Sequence, residues 1–239
     1  MRNSIKAKIV VGLLLAIILA VGILFALTAY SISEESRSAV TEATAKELRQ
    51  VDYTVTQYLE EARRNADMMS RHPLLASADA ISTSYVNDTG DVSSHVRSDD
   101  AVGLGLSEFF RTVKRSHGNY VAVYFGSRQG AFITGDPLNL PPKFDPRTRP
   151  WYTDAVSAPN TAILSKAYMS GTGEATISLA KASRAQGTVL GVAAMDISLD
   201  ALTSLAGGIH VGEAGHVLLV QDDGVVIANP ATPRLILKM

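Results

Sequence analysis

Four side chains in the middle of the sequence have the chemistry to hold a small zwitterion. Arg149 carries a planar guanidinium, which binds a carboxylate through two parallel hydrogen bonds in a way that lysine cannot. Close to it, Trp151 and Tyr152 offer aromatic faces with polar tips. Asp196 lies in an apolar run, where a carboxylate is costly unless it meets a cation or hydrogen-bond donors. Arg149 and Asp196 together would complement the carboxylate and the ammonium of an α-amino acid.

A structural role for the same residues stays open at this point. Asp145 is close enough in sequence to pair with Arg147 or Arg149, and with the neighbouring prolines such a pair would build a rigid turn. Trp151 could then be a core residue, because tryptophan and arginine at a turn commonly serve packing.

The elements that must position these residues predict an α+β fold. Five prolines between positions 137 and 150 predict a long loop without regular structure, either a surface loop or one that lines the site. Two long strands, 175–181 and 189–197, are expected to be joined by residues 182–187, and the second strand carries Asp196. Periodicity and turn residues predict the remaining elements: a short helix at 73–81, an exposed loop through 87–90, a helix at 104–115, a hairpin of 121–125 and 131–134, a helix at 151–157, a strand at 162–166, a helix at 199–205 and a hairpin of 216–220 and 225–228. Antiparallel strands with helices to one side describe an α+β domain that resembles the PAS-like sensor fold.

An apolar run at residues 9–29 contains no charge and predicts a transmembrane helix. At 1.5 Å per residue it spans roughly 30 Å, the thickness of a bilayer core. Arg2, Lys6 and Lys8 precede the run, whereas Glu34 and Glu35 follow it. The positive-inside rule therefore places the N-terminus in the cytoplasm and the later residues outside. A cleaved signal peptide is the alternative, but its apolar core would be shorter, about 7–15 residues.

A long polar helix is predicted from residue 33 to about residue 71, where the His72-Pro73 step ends it. Its apolar residues recur at helical spacing and form one stripe. The stripe either packs on its own domain or pairs with the same helix of a second subunit. It consists of Val40, Leu48, Val51, Val55, Leu59, Ala62, Ala66 and Met69.

The composition argues against several functions. A formal net charge of −1 does not suit a nucleic-acid partner. The chain has no cysteine, which excludes disulfides, thiolate metal sites and cysteine nucleophiles. Its five histidines are scattered without a paired-ligand spacing, and residues 222–224 read as a hairpin turn rather than a metal loop. Because phosphate-loop and nucleophile-elbow motifs are also absent, we expect no enzyme activity, no metal and no cofactor.

Three segments resemble a known family. FDPRTRPWY at 144–152 looks like a signature of double-Cache sensor domains, and GVAAMDIS at 191–198 and GEAGHVLLV at 212–220 extend the likeness through residues 228–230. The resemblance implies a transmembrane helix, a long dimer-forming helix, a membrane-distal ligand module and a membrane-proximal module, then a second transmembrane helix and a cytoplasmic output. The chain would then divide into a cytoplasmic N-terminus (1–8), a transmembrane helix (9–30), a long periplasmic helix (31–72), a PAS-like ligand-binding module (73–205) and an incomplete proximal module (206–239), which predicts a piece of a longer protein.

The resemblance also implies a set of ligand contacts. Members that bind amino acids use an Arg, Trp, Tyr and Asp constellation, whose positions match Arg149, Trp151, Tyr152 and Asp196. Those members usually have a tyrosine where this sequence has Phe144. The missing hydroxyl would weaken amino-acid binding or shift the preference toward another carboxylate or an amine. Tyr168 is a candidate to compensate.

The function implied is a sensor of a small molecule, most closely the input region of a methyl-accepting chemotaxis receptor. It would lie in a bacterial inner membrane as a homodimer joined through the long helix, with the sensor outside and no nucleic-acid partner. A sensor histidine kinase or a diguanylate cyclase could carry the same input domain, and a membrane-tethered solute-binding protein without output is a further alternative. The ligand signal would pass either down the long helix or through the proximal module.

Overall fold

The structure is a computed structural model that describes residues 5–170, 173–208 and 215–238, with side chains outside 5–7 and 32–40. The chain forms two compact units, Met1–Gln50 and Val51–Met239. The helices are α1 (Ile5–Ser70), α2 (Ala101–Ser116), α3 (Pro150–Ser157) and α4 (Leu199–Gly207), with short 3-10 helices at Pro73–Ala80, Pro146–Thr148 and Pro233–Leu235. The strands are β1 (Val92–Ser93), β2 (Tyr120–Ser127), β3 (Phe132–Thr134), β4 (Asn139–Leu140), β5 (Ile163–Leu164), β6 (Tyr168–Met169), β7 (Ala175–Ala185), β8 (Thr188–Ser198), β9 (Leu219–Val220) and β10 (Val226–Ala228).

The first unit contains the apolar part of α1. The segment Lys8–Ser31 contains an 18-residue window with a mean hydropathy of 3.2, and among the described residues it is the one helical stretch long and apolar enough to cross a membrane. Its side chains are exposed along the whole stretch. Length and composition therefore agree with the predicted transmembrane helix without placing it in a membrane.

In the second unit, the last turns of α1 pack on the hydrophobic core. Ala62, Ala66 and Met69 are fully buried there, and Val51 is nearly so. This confirms that the apolar stripe packs on its own domain from position 51 onward. Leu48 remains half-exposed, and the side chain of Val40 is outside the described residues. Pairing with a second subunit stays a prediction.

The centre of the second unit is an antiparallel sheet with the strand order β3-β2-β8-β7-β5, and β6 also pairs with β7. Because side chains alternate across a strand, β8 sends Ala193, Met195 and Ile197 to one face and Ala194 and Asp196 to the other. The first face packs against α1, α2 and α4. The second face lies under α3 and the proline-rich segment. The α+β class is confirmed, but helices cover both faces rather than one.

Three predicted elements differ from the structure. The proline-rich segment 137–150 is not without regular structure, because it contains the two-residue strand β4 and the 3-10 helix Pro146–Thr148. The expected connection 182–187 is only the turn Gln186–Gly187, since both residues adopt positive φ (48° and 83°) and let β7 and β8 run on to it. The predicted strand at 162–166 is reduced to β5.

The C-terminal hairpin of β9 and β10 packs with the rest of the second unit. Ala228 is fully buried in the larger core beside α4, and Val217 also belongs to that core. The predicted hairpin is confirmed with shorter strands, Leu219–Val220 in place of 216–220 and Val226–Ala228 in place of 225–228. Residues 209–214, with part of the third family motif, are outside the described residues. The assignment of 206–239 to a second module, and of 1–8 to a cytoplasmic terminus, stays a prediction.

Candidate ligand-binding site

A small cavity lies between the second face of the sheet and the segment from β4 to α3. Its volume is about 30 Å³, room for a water or two, so a ligand the size of an amino acid requires its walls to move apart. Apolar and aromatic side chains form most of the lining, with one cation and one carboxylate. The lining residues are Ala122, Tyr124, Phe132, Leu138, Asn139, Leu140, Phe144, Arg149, Trp151, Tyr168, Ser170 and Asp196.

Asp196 is the buried carboxylate of this cavity, and the sheet register gives it its partners. In β8 it lies opposite Ser178 of β7 and Ala122 of β2. Its Oδ1 accepts hydrogen bonds from Ser178 Oγ and Tyr124 OH, both at 2.6 Å, and the hydroxyl of Tyr168 is 3.5 Å away. Burial raises the pKa of Asp196 to about 6, against the effect of these hydrogen bonds and of the Arg149 charge, which lower it.

The donors expected for a buried carboxylate therefore serve one oxygen of Asp196. In the described part of the chain no hydrogen bond reaches its Oδ2, although the carboxyl group lines the cavity. One oxygen is held by the sheet, and the other is available to a ligand donor.

Arg149 is the cation of the cavity. It follows the 3-10 helix Pro146–Thr148 and occupies the N-cap position of α3 without a side-chain capping hydrogen bond, and Pro150 is pre-shaped for the first helical turn. Its guanidinium carbon lies 5.9 Å from the ring centroids of both Phe144 and Tyr168, within cation–π range. Within the described ranges the guanidinium has no ion pair and no hydrogen bond.

The Arg–Asp pair that the structural interpretation of the turn expected is present, and Arg147 forms it. Arg147, not Arg149, pairs with Asp145, and its Nη2 is 2.7 Å from Asp145 Oδ2. This contact lowers the pKa of Asp145, and it braces the 3-10 turn that precedes Arg149. The expected Arg–Asp pair is thus present in the turn, and Arg149 lines the cavity instead of joining that pair.

A cluster of aromatic rings forms the remaining wall. Trp151 packs edge-on against Tyr124 with 4.9 Å between ring centroids, and Phe132 lies 4.7 Å from Phe144. Trp151 is 2% exposed, so it belongs to the core and to the cavity lining at once. The two interpretations of Trp151 are compatible.

Five of the six predicted contact residues line this cavity, and one does not. Phe144, Arg149, Trp151, Tyr168 and Asp196 come together there. Tyr152 is buried behind Trp151, with 5.7 Å between the two ring centroids, and lies outside the lining. A direct ligand contact by Tyr152 stays a prediction.

Sequence reasoning missed the partners that hold Asp196. Tyr124 lies in a strand that was predicted, but the direction of its side chain depends on the pairing of β2 with β8. The position of Ser178 opposite Asp196 likewise depends on the register between β7 and β8, which the sequence alone does not show. An aromatic-rich strand beside a strand with a buried carboxylate is the signal that could have indicated Tyr124.

The described residues contain no group of three or more His, Asp or Glu side chains that could hold a metal ion. Residues 221–224 form the predicted hairpin turn, with the Gly224 amide donating to the Gln221 carbonyl at 3.0 Å.

Comparison with known proteins places this architecture. The double-Cache family model, described as a Cache domain, matches residues 32–238. The ligand-binding domain of the amino acid chemoreceptor PctC of Pseudomonas aeruginosa, in complex with GABA, superposes with a TM-score of 0.57 at 25% identity, covering 80% of this chain and 76% of that one. The sensory domain of Campylobacter jejuni chemoreceptor Tlp3, with isoleucine bound, gives 0.63 at 17% identity over 85% and 75%, which shows a shared fold.

The curated relatives are bacterial chemotaxis receptors. Methyl-accepting chemotaxis protein PscA of Pseudomonas syringae pv. tomato is 31% identical over 120 residues, which are 50% of this chain and 19% of that receptor. TlpA of Bacillus subtilis is 25% identical over 228 residues, 95% of this chain and 31% of that receptor. The chain thus spans less than a third of these receptors. Since the family model covers most of its length, the predicted resemblance is confirmed: this chain belongs to the double-Cache family of sensor domains and is similar to the ligand-binding regions of bacterial chemoreceptors.

Proposed function

We propose that this chain is the extracytoplasmic sensor region of a transmembrane chemotaxis receptor and that it binds an amino acid or a related small carboxylate or amine. The chemotaxis receptors among its relatives favour this output over a histidine kinase or a diguanylate cyclase. PctC, at 25% identity, was captured with GABA, which carries one carboxylate and one ammonium. The relatives support a non-enzymatic role.

The observation that carries the proposal is that Arg149 and Asp196 line one cavity, and neither forms an ion pair within the described residues. The Arg149 guanidinium lines it without an ion pair in the described part of the chain, and Asp196 lines it with Oδ2 free of hydrogen bonds there. A buried carboxylate is costly unless a cation approaches it. A zwitterion supplies a carboxylate for Arg149 and an ammonium for Asp196, so its binding satisfies both groups.

The aromatic lining shapes the preference among such ligands. Phe144 offers a ring face without a hydroxyl, and the Tyr168 hydroxyl is engaged with Ser178 at 2.8 Å. A ligand ammonium would therefore rely on Asp196 and on ring faces more than on hydroxyl groups. Amino-acid ligands should bind more weakly than in a pocket that has an additional hydroxyl. The expected loss of binding free energy is about 1.5–3 kcal/mol, the usual contribution of one hydrogen bond to a charged group.

The membrane arrangement is part of the proposal. The segment Lys8–Ser31 would cross the inner membrane, with Arg2, Lys6 and Lys8 on the cytoplasmic side and the sensor outside. Two copies would associate through the polar part of α1, which leaves Leu48 and Tyr53 exposed.

The site is tested with the full chain in lipid nanodiscs, by thermal shift with GABA and the common L-amino acids. The emission of Trp151, the single tryptophan, is a second readout because this residue lines the cavity. Arg149→Ala and Asp196→Asn should each abolish the shift, because each removes one of the two charges that hold the zwitterion.

Arg97→Ala is the control, since it removes an exposed arginine that pairs with Asp99 outside the cavity. It should keep the ligand-induced shift. Equal shifts in the wild type, Arg149→Ala and Asp196→Asn would show that the ligand binds elsewhere, and no shift with any zwitterion would sink the proposal.

A further inference from the structure

The turn of the C-terminal hairpin fixes the backbone of Gln221. The backbone N–H of Gln221 donates to the Val225 carbonyl at 2.9 Å, and the backbone carbonyl of Gln221 accepts from the Gly224 N–H at 3.0 Å. Asp223 also accepts from the Val225 amide through Oδ1 at 3.2 Å. The backbone of Gln221 is therefore set by the turn, and its side chain moves with the hairpin.

The Gln221 side chain reaches across to the segment between β5 and β6. Its Oε1 accepts from the Ala167 amide at 2.9 Å, and its Nε2 lies 3.4 Å from the Ser165 carbonyl, toward which it donates. Lys166 and Asp223 form an ion pair at 3.0 Å, but the Lys166 side chain is 70% exposed, so this pair adds little. The side-chain amide of Gln221 is the main polar link between hairpin and segment.

The segment held by Gln221 is bonded to the pocket. The Ser165 amide donates to the Ser178 carbonyl, and the Ser178 amide donates to Ser165 Oγ, both at 2.9 Å. Ser178 Oγ then donates to Asp196 Oδ1 at 2.6 Å. Both serines are buried, at 1% and 0% exposure, so water does not readily replace these bonds.

The same segment leads directly into the cavity wall. Tyr168 follows Ala167, lines the cavity, and places its hydroxyl 2.8 Å from Ser178 Oγ. Its ring lies 5.9 Å from the Arg149 guanidinium. A displacement of residues 165–168 therefore changes both the donor to Asp196 and the ring beside Arg149.

We propose that Gln221 is a positioning residue for the ligand pocket, so that ligand binding at Arg149 and Asp196 and docking of the hairpin (residues 219–228) stabilise each other. The ligand-linked part rests on the proposed function; the positioning part concerns the free protein. Linkage is reciprocal: if a docked hairpin favours the bound pocket, a bound ligand favours the docked hairpin by the same factor. The hairpin is then a route by which ligand binding in the pocket is transmitted to residues outside the pocket.

The positioning role is tested first without ligand, by hydrogen exchange of the Ala167 and Ser178 amides in the full chain. Gln221→Ala should speed exchange at both amides by roughly tenfold or more, because the segment between β5 and β6 opens more often. Gln221→Glu keeps the acceptor for Ala167 and loses the donor to Ser165, so it should have a smaller effect. Asp222→Ala is the control, as Asp222 is an exposed neighbour in the same turn.

The linkage is tested by calorimetric titration with GABA as the probe. Gln221→Ala should weaken GABA binding by roughly tenfold, within the usual range of coupling between sites, while Asp222→Ala leaves it unchanged. GABA should in turn slow exchange of the Gly224 and Val225 amides in the wild type and not in Gln221→Ala.

The outcomes separate the two proposals. Unchanged exchange at Ala167 and Ser178 in both Gln221 variants overturns the positioning role, whatever the protein binds. GABA binding that is equally tight in wild type and Gln221→Ala overturns the linkage while leaving the zwitterion pocket intact. If GABA and the L-amino acids fail to bind the wild type, the proposed function fails, and the exchange experiment still decides the role of Gln221.

Discussion

At the scale of single residues, Asp196 is the group whose charge is most sensitive to its surroundings. Burial raises its pKa to about 6, whereas a carboxyl in the unfolded chain has a pKa of about 3.9. The facing groups are Tyr124 and Tyr168, whose pKa values burial raises, so they stay neutral, and the Arg149 guanidinium. Asp196 therefore titrates alone in this pocket near neutral pH.

This pKa shift predicts the pH dependence of stability. The folded protein binds the Asp196 proton more tightly than the unfolded chain does, so the contribution of Asp196 falls as pH rises from about 4 to about 6 and stays low above that. Between pH 4.5 and 7.5 the loss is on the order of 2 kcal/mol. Urea denaturation of the wild type and Asp196→Asn at both pH values measures it, since the variant lacks this component.

Two further outcomes follow for the same pair of proteins. A pH-independent difference between wild type and Asp196→Asn would mean that Asp196 does not titrate in this range. A zwitterionic ligand should reverse the penalty, because its ammonium favours the ionised carboxylate. Its affinity should then fall by up to about tenfold per pH unit below pH 6.

At the scale of elements, the register of β7 against β8 decides which side chains meet in the pocket. Both strands could be predicted from their apolar, β-branched residues, and so could the presence of Asp196 in the second strand. The register could not. The turn at Gln186–Gly187 pairs Arg184 with Val189, and an irregularity after Ser183 then shifts the pairing by one residue. Without that shift Ser178 would oppose Met195, and the donor to Asp196 would be lost.

The aromatic wall was partly predictable for a similar reason. Phe144, Arg149 and Trp151 lie within nine positions in sequence, so local spacing identified them. Tyr124 comes from β2, and its contact with Asp196 exists only because β2 pairs with β8 far along the chain. Likewise, the cover of the second sheet face by α3 depends on tertiary packing. Periodicity cannot show which face of a sheet a short helix will cover.

Gly191 marks the place where β2 and β8 come too close for a side chain. A Cβ at this position would lie 2.3 Å from the Gly126 carbonyl oxygen and 2.4 Å from the Phe125 ring. We therefore expect Gly191→Ala to destabilise the fold by about 1–3 kcal/mol, since the two strands must separate. Chemical denaturation measures the change, with Gly118→Ala as the control because that position has open space.

A loss below 0.5 kcal/mol for Gly191→Ala, equal to that of Gly118→Ala, would contradict this close approach of the strands. The variant should also weaken ligand binding, because β8 carries Asp196 five residues beyond Gly191 and pairs with Ala122 and Tyr124 along the cavity floor. Gly191→Ala should thus lower both the free energy of unfolding and the ligand affinity. Arg149→Ala should lower the ligand affinity alone, because Arg149 forms no ion pair within the described residues.

At the scale of the whole molecule, the sequence identified the family and an apolar segment long enough to cross a membrane, whereas the module boundaries stay predictions. The family model covers residues 32–238, and the apolar segment Lys8–Ser31 is evident from hydropathy. The predicted boundary at 205–206 does not coincide with a boundary between compact units, because α4 and the C-terminal hairpin share a hydrophobic core with the sheet. A boundary read from motifs marks a family repeat, whereas compactness follows the apolar contacts that the chain makes.

The orientation across the membrane is a whole-molecule prediction that the absence of cysteine makes simple to test. Asp91→Cys adds a unique thiol at an exposed position of the sensor, and Asn3→Cys adds one before the apolar segment. In sealed spheroplasts a membrane-impermeant maleimide should label Asp91→Cys at once and Asn3→Cys only after permeabilisation, because Lys6 and Lys8 keep the N-terminus inside. The reverse labelling pattern would place residue 91 on the cytoplasmic side and would contradict the proposed extracytoplasmic position of the sensor. A chain shortened by about 30 residues, with the Asn3→Cys label lost, would instead identify the segment as a cleaved signal peptide.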